Sequence, residues 1–544
     1  MTEANDQALL RDVVTSAERR ARYVSAGLWD DSTLAGRIAL HAREAPDALA
    51  VVDERGRYSY RQLADSVGAV AAALAERGVA AGAVASIQLP NRYEAAVTAV
   101  AVQALGGVIN PLLPNYRVKE LTDVFARAEP RVVVTPAVYR GFDHRALVAE
   151  ACQRAGVVVH HVVVDGDPGS GATAYETLEA SGGVGFGPGR SADAVSELIF
   201  TSGTEASPKA IMHTEQTANF SVRVAYDDLG LGSGDVVWMP SPVGHSTGFN
   251  YGVRFALYHR LPLVLQDRWD GDEAAELVAR EGCSYTLAAT TFLQDLTEAA
   301  TRRDLMLPSL RFFGCGGAPV PPHLVDAAAE RGIGVLRLYG STEVLVGTWN
   351  RPTSSLAQRR HTDGVAMSNV EIDVRNEDGE PVAPGAEGEL HVRGPNTCVG
   401  FFNDPQRTAA TFDADGWVRS GDLVTVDDDG SLTVVGRKKE IIIRGGLNIA
   451  PREVEELLTG FPEVERAAVV GLPDERLGER MCACVVLRGD ATLDLATTVE
   501  RLKATGLATY KLPQRLEVLP SLPATASGKI QKHEIVRTLT TGTP

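Results

Sequence analysis

Thr201-Ser202-Gly203-Thr204-Glu205-Ala206-Ser207-Pro208-Lys209 follows directly on an apolar run that ends at Phe200, within a strand expected over Glu197–Thr201. Small hydroxyl residues and glycine let backbone N–H groups approach a polyphosphate, and a lysine adds a mobile positive charge, so the junction reads as a phosphate cradle. Taken alone, it would also suit a merely polar turn. Its spacing is neither GxxxxGK[ST] nor GxGxxG before a helix, which excludes the Walker and dinucleotide-binding readings. Around it, helical segments such as Leu63–Arg77 and Tyr93–Gly106 alternate with short β-branched runs at Val84–Leu89, Arg131–Val134 and Val157–Val164. That alternation predicts a layered α/β sheet. The Gly/Ser-rich stretch from Gly166 to Ser191 reads as a long surface connection within the same domain.

A different texture begins near Pro381. Gly388–Arg393 and Leu423–Val426 alternate like antiparallel strands, and the acidic turn Asp427–Gly430 separates Leu423–Val426 from Leu432–Val435. This hairpin sets Asp422 beside Arg437 at its open end, where the two could grip one ligand. Beyond Lys439 a βαβ-like pattern returns, with strand Ile441–Arg444, helix Pro451–Leu458 and strands Ala467–Val470 and Met481–Leu487. The organisation expected is an N-terminal domain over 1–437, a hinge over 438–440 and a small mobile α+β C-terminal domain over 441–544. No internal repeat is evident.

A chain of 544 residues is too long for one ordinary core, and 44% hydrophobic with 23% charged residues fits a globular protein rather than a disordered or membrane one. Fifty-three Lys and Arg against 70 Asp and Glu give a net charge of −17 without a basic tract, which disfavours a nucleic-acid partner. The six cysteines show neither a disulfide framework nor zinc spacing, and the acidic start MTEANDQALL lacks a signal-peptide pattern. The most apolar helical stretch, Ala95 to Val108, is shorter than the roughly 20 residues of a membrane span and reads as a buried helix. A reducing cytoplasm is the expected location.

Five further segments accompany the 201–209 stretch, in order: Tyr339-Gly340-Ser341-Thr342-Glu343, Ser420-Gly421-Asp422-Leu423, Gly436-Arg437-Lys438-Lys439-Glu440, Gly445-Gly446-Leu447-Asn448-Ile449-Ala450-Pro451 and Pro523-Ala524-Thr525-Ala526-Ser527-Gly528-Lys529. Together they resemble the signature motifs of the adenylate-forming superfamily, which includes acyl-CoA synthetases, firefly luciferase and the adenylation domains of nonribosomal synthetases. The resemblance covers essentially the whole chain. It implies that Thr201, Ser202, Gly203, Thr204 and Lys209 hold phosphates, and that Tyr339 and Gly340 lie against adenine. It also implies that Thr342 bonds the phosphate and carboxylate region, Glu343 helps hold Mg²⁺, and Asp422 and Arg437 hold the ribose. A flat π face, a small donor and a hard anionic oxygen suit the tasks of Tyr339, Thr342 and Glu343. The segment Gly314-Cys315-Gly316-Gly317-Ala318-Pro319 would line the acyl or adenine pocket, with Cys315 a small lining residue rather than a nucleophile. Gly445 and Gly446 would leave room for a pantetheine arm. Lys529 would stabilise charge at the α-phosphate. His245 falls at the family's gate beside the acyl site and Lys439 at its hinge, whereas His213 reads only as a packing residue at a helix start. Glu205 and Ala206 stand where the family has Thr or Ser and then Gly, Ala210 replaces a common glycine and Glu440 a common aspartate. A carboxylate in that loop should repel triphosphate unless it points outward or pairs with a cation.

The activity implied is attack of a carboxylate on Mg·ATP to give acyl-adenylate and pyrophosphate, then transfer to a thiol after the small domain rotates. Pro240–Asn250 contains no aspartate to hold an α-ammonium, so an amino-acid substrate is disfavoured. With no carrier domain in the sequence, coenzyme A is the expected acceptor and a stand-alone acyl carrier protein the alternative. Ser25–Trp29 and Gly141–His144 resemble medium-chain and cyclohexanecarboxylate ligases, which points to medium-chain, alicyclic, polycyclic or aryl acids. Luciferase-like oxidation and a degenerate nucleotide-binding member without turnover are the remaining alternatives, and a homodimer is compatible with all of them.

Overall fold

The computed structural model describes residues 14–180, 185–201, 208–318, 320–444, 447–474, 477–505, 507, 509–525 and 529–541. Two large sheets dominate it. In the first, seven strands lie in the order Lys209–Thr214, Val195–Thr201, Val108–Pro111, Val84–Ile87, Val132–Pro136, His160–Val164 and Ala172–Ala174. Pairing is parallel except at the 195–201/209–214 hairpin, which sets Thr201 opposite Lys209. The second sheet has nine strands, parallel through its centre and antiparallel at both edges. Parallel strands need both faces covered. Accordingly, helix Tyr93–Ala104, apolar around its whole circumference, is buried along nearly all its length.

The Gly166–Ser191 stretch is not all loop. Ala172–Ala174 adds an edge strand to the seven-stranded sheet, and Tyr175–Glu179 forms a helix that buries Tyr175 and Leu178. These two apolar residues, three apart, suffice to dock one helical turn despite the glycine-rich surroundings.

From Glu371 the chain forms a four-stranded antiparallel sheet in which Asp422 and Arg437 are cross-strand partners, as the hairpin register requires. The C-terminal part has its own sheet, with cores on both faces. It is more antiparallel than a βαβ reading implies: Val464–Asp474 and Gly478–Leu487 form one long hairpin, and among the described residues only Arg515–Val518, returning through helix Leu495–Ala504, pairs in parallel. No described helix is long and apolar enough to cross a membrane.

Candidate active site

The site gathers where the nine-stranded sheet, the phosphate-motif hairpin, the 418–437 hairpin and the C-terminal part meet. Strand Val335–Ser341 carries Tyr339, and the turn after it carries Thr342 and Glu343. A Cβ on Gly340 would stand 2.3 Å from the Leu345 carbonyl oxygen, so this turn tolerates no side chain there. The buried Tyr339 hydroxyl donates to Asp422 Oδ2 at 2.8 Å, while Arg437 Nε meets Asp422 Oδ1 at 2.9 Å. Burial raises the Asp422 carboxyl above its ordinary pKa, and the Arg437 charge opposes that rise.

Lys209 Nζ lies 3.4 Å from Glu343 Oε1, joining the first and second motifs. The His213 ring nitrogen Nε2 lies 2.7 Å from the Thr342 carbonyl, and the Cys398 N–H donates to the Glu343 carbonyl at 2.7 Å. His213 is therefore more than a packing residue. It sits on strand Lys209–Thr214, and with period-two alternation it shares a face with Lys209. That signal was available in the sequence to a strand reading of 209–214.

His245 caps a short helical turn, its Nδ1 accepting from the Thr247 N–H at 3.2 Å. This leaves the proton on Nε2. Burial of the ring pushes its pKa down to about 4, so it is neutral at ordinary pH. A π-helix, Phe249–Arg254, follows directly and ends on a fully buried arginine. Arg254 pairs with Glu197 at 2.6 Å and with Glu215, and also donates to Asn219 and Asn250. None of these residues is marked by the family motifs, yet together they tie the wall behind His245 to the strand that leads into the phosphate motif.

Lys529 comes from the C-terminal part. Much of its surface is open to solvent, yet its ammonium is crowded by protein; that crowding and the Arg437 guanidinium lower its pKa, while Glu440, Asp422 and Glu343 pull it back. The ammonium is thus within electrostatic reach of four residues from the other motifs. Arg452–Asp363 (3.6 Å) and Arg488–Glu298 (3.3 Å) hold the C-terminal part against the larger one in this orientation. Lys438 to Lys439 to Glu440 forms a single 3-10 turn. Lys438 pairs with Glu389 of the large part at 3.2 Å and Glu440 with Lys532 of the C-terminal part at 3.2 Å.

Gly317 is exposed and Ala318 half-buried, beyond strand Phe312–Gly316. Cys315 does not line a pocket: it is fully buried in the second core, with Sγ 3.7 Å from Thr290 Oγ1. The cause is strand parity, since Gly314 and Gly316 turn toward the opposite face. Ser202, Gly203, Thr204, Glu205, Ala206, Pro319, Gly445 and Gly446 lie outside the described residues, as does the side chain of Lys439. The described residues contain no cluster of three or more His, Cys, Asp or Glu able to hold a metal. Glu343 offers one hard carboxylate, which suits a Mg²⁺ that arrives on nucleotide phosphates.

Comparison with known proteins places this geometry in context. Residues 38–402 match the family described as AMP-binding enzyme, and residues 453–529 match the AMP-binding enzyme C-terminal domain. The chain is 36% identical over 531 residues to a medium-chain fatty-acid–CoA ligase of Escherichia coli (strain K12), covering 96% of this chain and 94% of that one. It is 34% identical over 535 residues to a salicyl-AMP ligase / salicyl-S-ArCP synthetase of Mycobacterium tuberculosis, again covering 96% and 94%. Among solved structures, ATP-bound MatB from Rhodopseudomonas palustris superposes with a TM-score of 0.82 at 28% identity, covering 93% of this chain and 98% of that one.

Proposed function

The chain belongs to the AMP-binding enzyme family of adenylate-forming ligases, and from that membership we propose that it activates an apolar carboxylic acid with Mg·ATP and passes the acyl group to coenzyme A. The observation that carries the proposal is the meeting of Tyr339, Asp422, Arg437, Glu343 and Lys529 within reach of one another. In the first half-reaction a carboxylate oxygen attacks the α-phosphorus and the bond to pyrophosphate breaks, leaving acyl-AMP. Negative charge builds on the α-phosphate oxygens, and the Lys529 ammonium meets it there; Glu343 would hold a Mg²⁺, which would supply further positive charge toward the phosphates. Lys209 neutralises the departing phosphates. Asp422 and Arg437 take the ribose hydroxyls, for which their paired oxygens and N–H groups supply acceptors and donors. Neutral His245 closes the acyl side without adding a charge that would stabilise bulk water.

In the second half-reaction a thiol sulfur attacks the acyl carbonyl, AMP leaves and the thiol proton is released. Lys529 has no task in this step, so the C-terminal part rotates about residues 438–440 and presents Gly445 and Gly446 instead. The ion pairs on either side of Lys439 support this assignment, because each neighbour is fastened to a different part. Lys439→Pro is expected to slow thioester formation several-fold more than adenylate formation by restricting the hinge torsion. Rapid-quench measurement of the two steps checks it, and equal rates would remove Lys439 from the role.

Coenzyme A as acceptor is supported by the likeness to the fatty-acid–CoA ligase. The likeness to the salicyl-AMP ligase favours a carrier protein as the second reading. Acid-dependent pyrophosphate release should be assayed across medium-chain, alicyclic and aryl acids, then repeated with coenzyme A or a phosphopantetheinylated carrier protein. Turnover with coenzyme A supports the proposal, turnover only with the carrier replaces it, and no pyrophosphate release with any acid refutes adenylation.

A further inference from the structure

His213 lies outside every motif, yet its ring touches the residue that precedes the magnesium-binding glutamate. It is fully buried on the strand that begins with Lys209. A carbonyl only accepts, so the 2.7 Å contact to the Thr342 oxygen requires a proton on His213 Nε2. Nδ1 is then an acceptor 3.1 Å from the Thr217 hydroxyl, which shares its proton between the ring and the Thr214 carbonyl at 3.0 Å. Thr217 is itself bound to the Thr214 N–H at 3.1 Å, where it closes the first turn of helix Glu215–Leu229. The ring is thus fixed from the helix side and directs a single donor at the 342–343 peptide.

The Thr342–Glu343 segment is held at three points. His213 takes the Thr342 carbonyl, Cys398 the Glu343 carbonyl, and Lys209 the Glu343 carboxylate. Two of the three holders stand four residues apart on the same strand face. Mg²⁺ demands near-octahedral geometry at roughly 2.0–2.1 Å, so a glutamate free to shift by a fraction of an ångström is a poor ligand. A nearby group that fixes a metal ligand without touching the metal typically carries a 10- to 100-fold effect on metal affinity.

We propose that His213 is a positioning residue that fixes the Thr342–Glu343 peptide for Mg·ATP. The inference rests on the reading of Glu343 as the protein ligand to magnesium. It sets an order of dependence: metal-free ATP reaches the site through the ribose and phosphate contacts, whereas the added affinity conferred by Mg²⁺ depends on the His213 hydrogen bond.

The test is calorimetric titration of ATP into the full-length protein, with Mg²⁺ and with a chelator, for the native protein and for His213→Phe and His213→Gln. The native protein should bind ATP more tightly with Mg²⁺. His213→Phe should lose about 10- to 100-fold of that Mg²⁺-dependent gain while its affinity for metal-free ATP stays within twofold. His213→Gln, which keeps an N–H at the end of the side chain, should recover most of the gain. If His213→Phe keeps the full gain, or weakens both forms of ATP equally, His213 has no positioning role toward the metal. If the native protein itself shows no Mg²⁺-dependent gain, the Glu343 reading fails first, a result distinct from failure of the His213 inference.

Discussion

Replacing Lys529 by alanine is expected to reduce acid-dependent pyrophosphate release by about 100- to 1,000-fold, the usual cost of losing one preorganised group at a developing charge. Thioester formation from supplied acyl-adenylate should be nearly unchanged, because the proposed rotation carries Lys529 away from the α-phosphate before that step. Equal loss in both steps would remove Lys529 from its assigned role. The pH dependence carries a further signature. Crowding and Arg437 hold the Lys529 pKa below the ordinary lysine value of about 10.4, and the proposed role needs the protonated form. The first half-reaction should therefore decline as pH rises through that lowered pKa, a limb absent from the second. A first-step profile flat through the alkaline range would contradict the assignment.

The largest effect on stability is expected from Arg254→Met. The change leaves Glu197 and Glu215 buried without their cation, and breaking such a pair costs about 3–5 kcal/mol. Urea denaturation monitored on the native and variant proteins would measure it. A loss under about 1 kcal/mol would show that the two carboxylates find other partners or take up protons at little cost. Combining Arg254→Met with Glu197→Gln and Glu215→Gln removes the orphaned charges and should restore much of the loss. If the triple variant is no more stable than the single one, the cost arises from packing and not from charge.

The parts of the site that were legible in the sequence are those set by short-range geometry. Asp422 and Arg437 could be paired in advance because one turn and strand alternation determine a hairpin's register. The strand that leads into the phosphate motif was likewise legible, as an apolar run ending at Phe200. Where the outcome depended on which face of an element turns inward, the sequence was ambiguous. Cys315 was assigned to a pocket wall although its parity sends it to the opposite core, and His213, read only as a packing residue at a helix start, also lies within strand Lys209–Thr214 on the face of Lys209 and bonds the Thr342 carbonyl. The Glu197–Arg254–Glu215 cluster was not legible at all: its members are far apart in sequence and meet only through the packing of a strand, a helix start and a π-helix. The approach of Lys529 to Asp422 and Glu343 depends on how two separately folded parts are set against each other, and was reached only through the family resemblance.

The ion pairs that flank Lys439 make the link between the two parts resemble an axle held in two bearings. If residues 438–440 are the proposed hinge, fastening Lys438 on one side and Glu440 on the other would confine rotation to the torsions of about one residue, and each part would turn as a solid body. In solution the chain should therefore populate a few discrete arrangements, rather than the continuous spread that a slack tether would give.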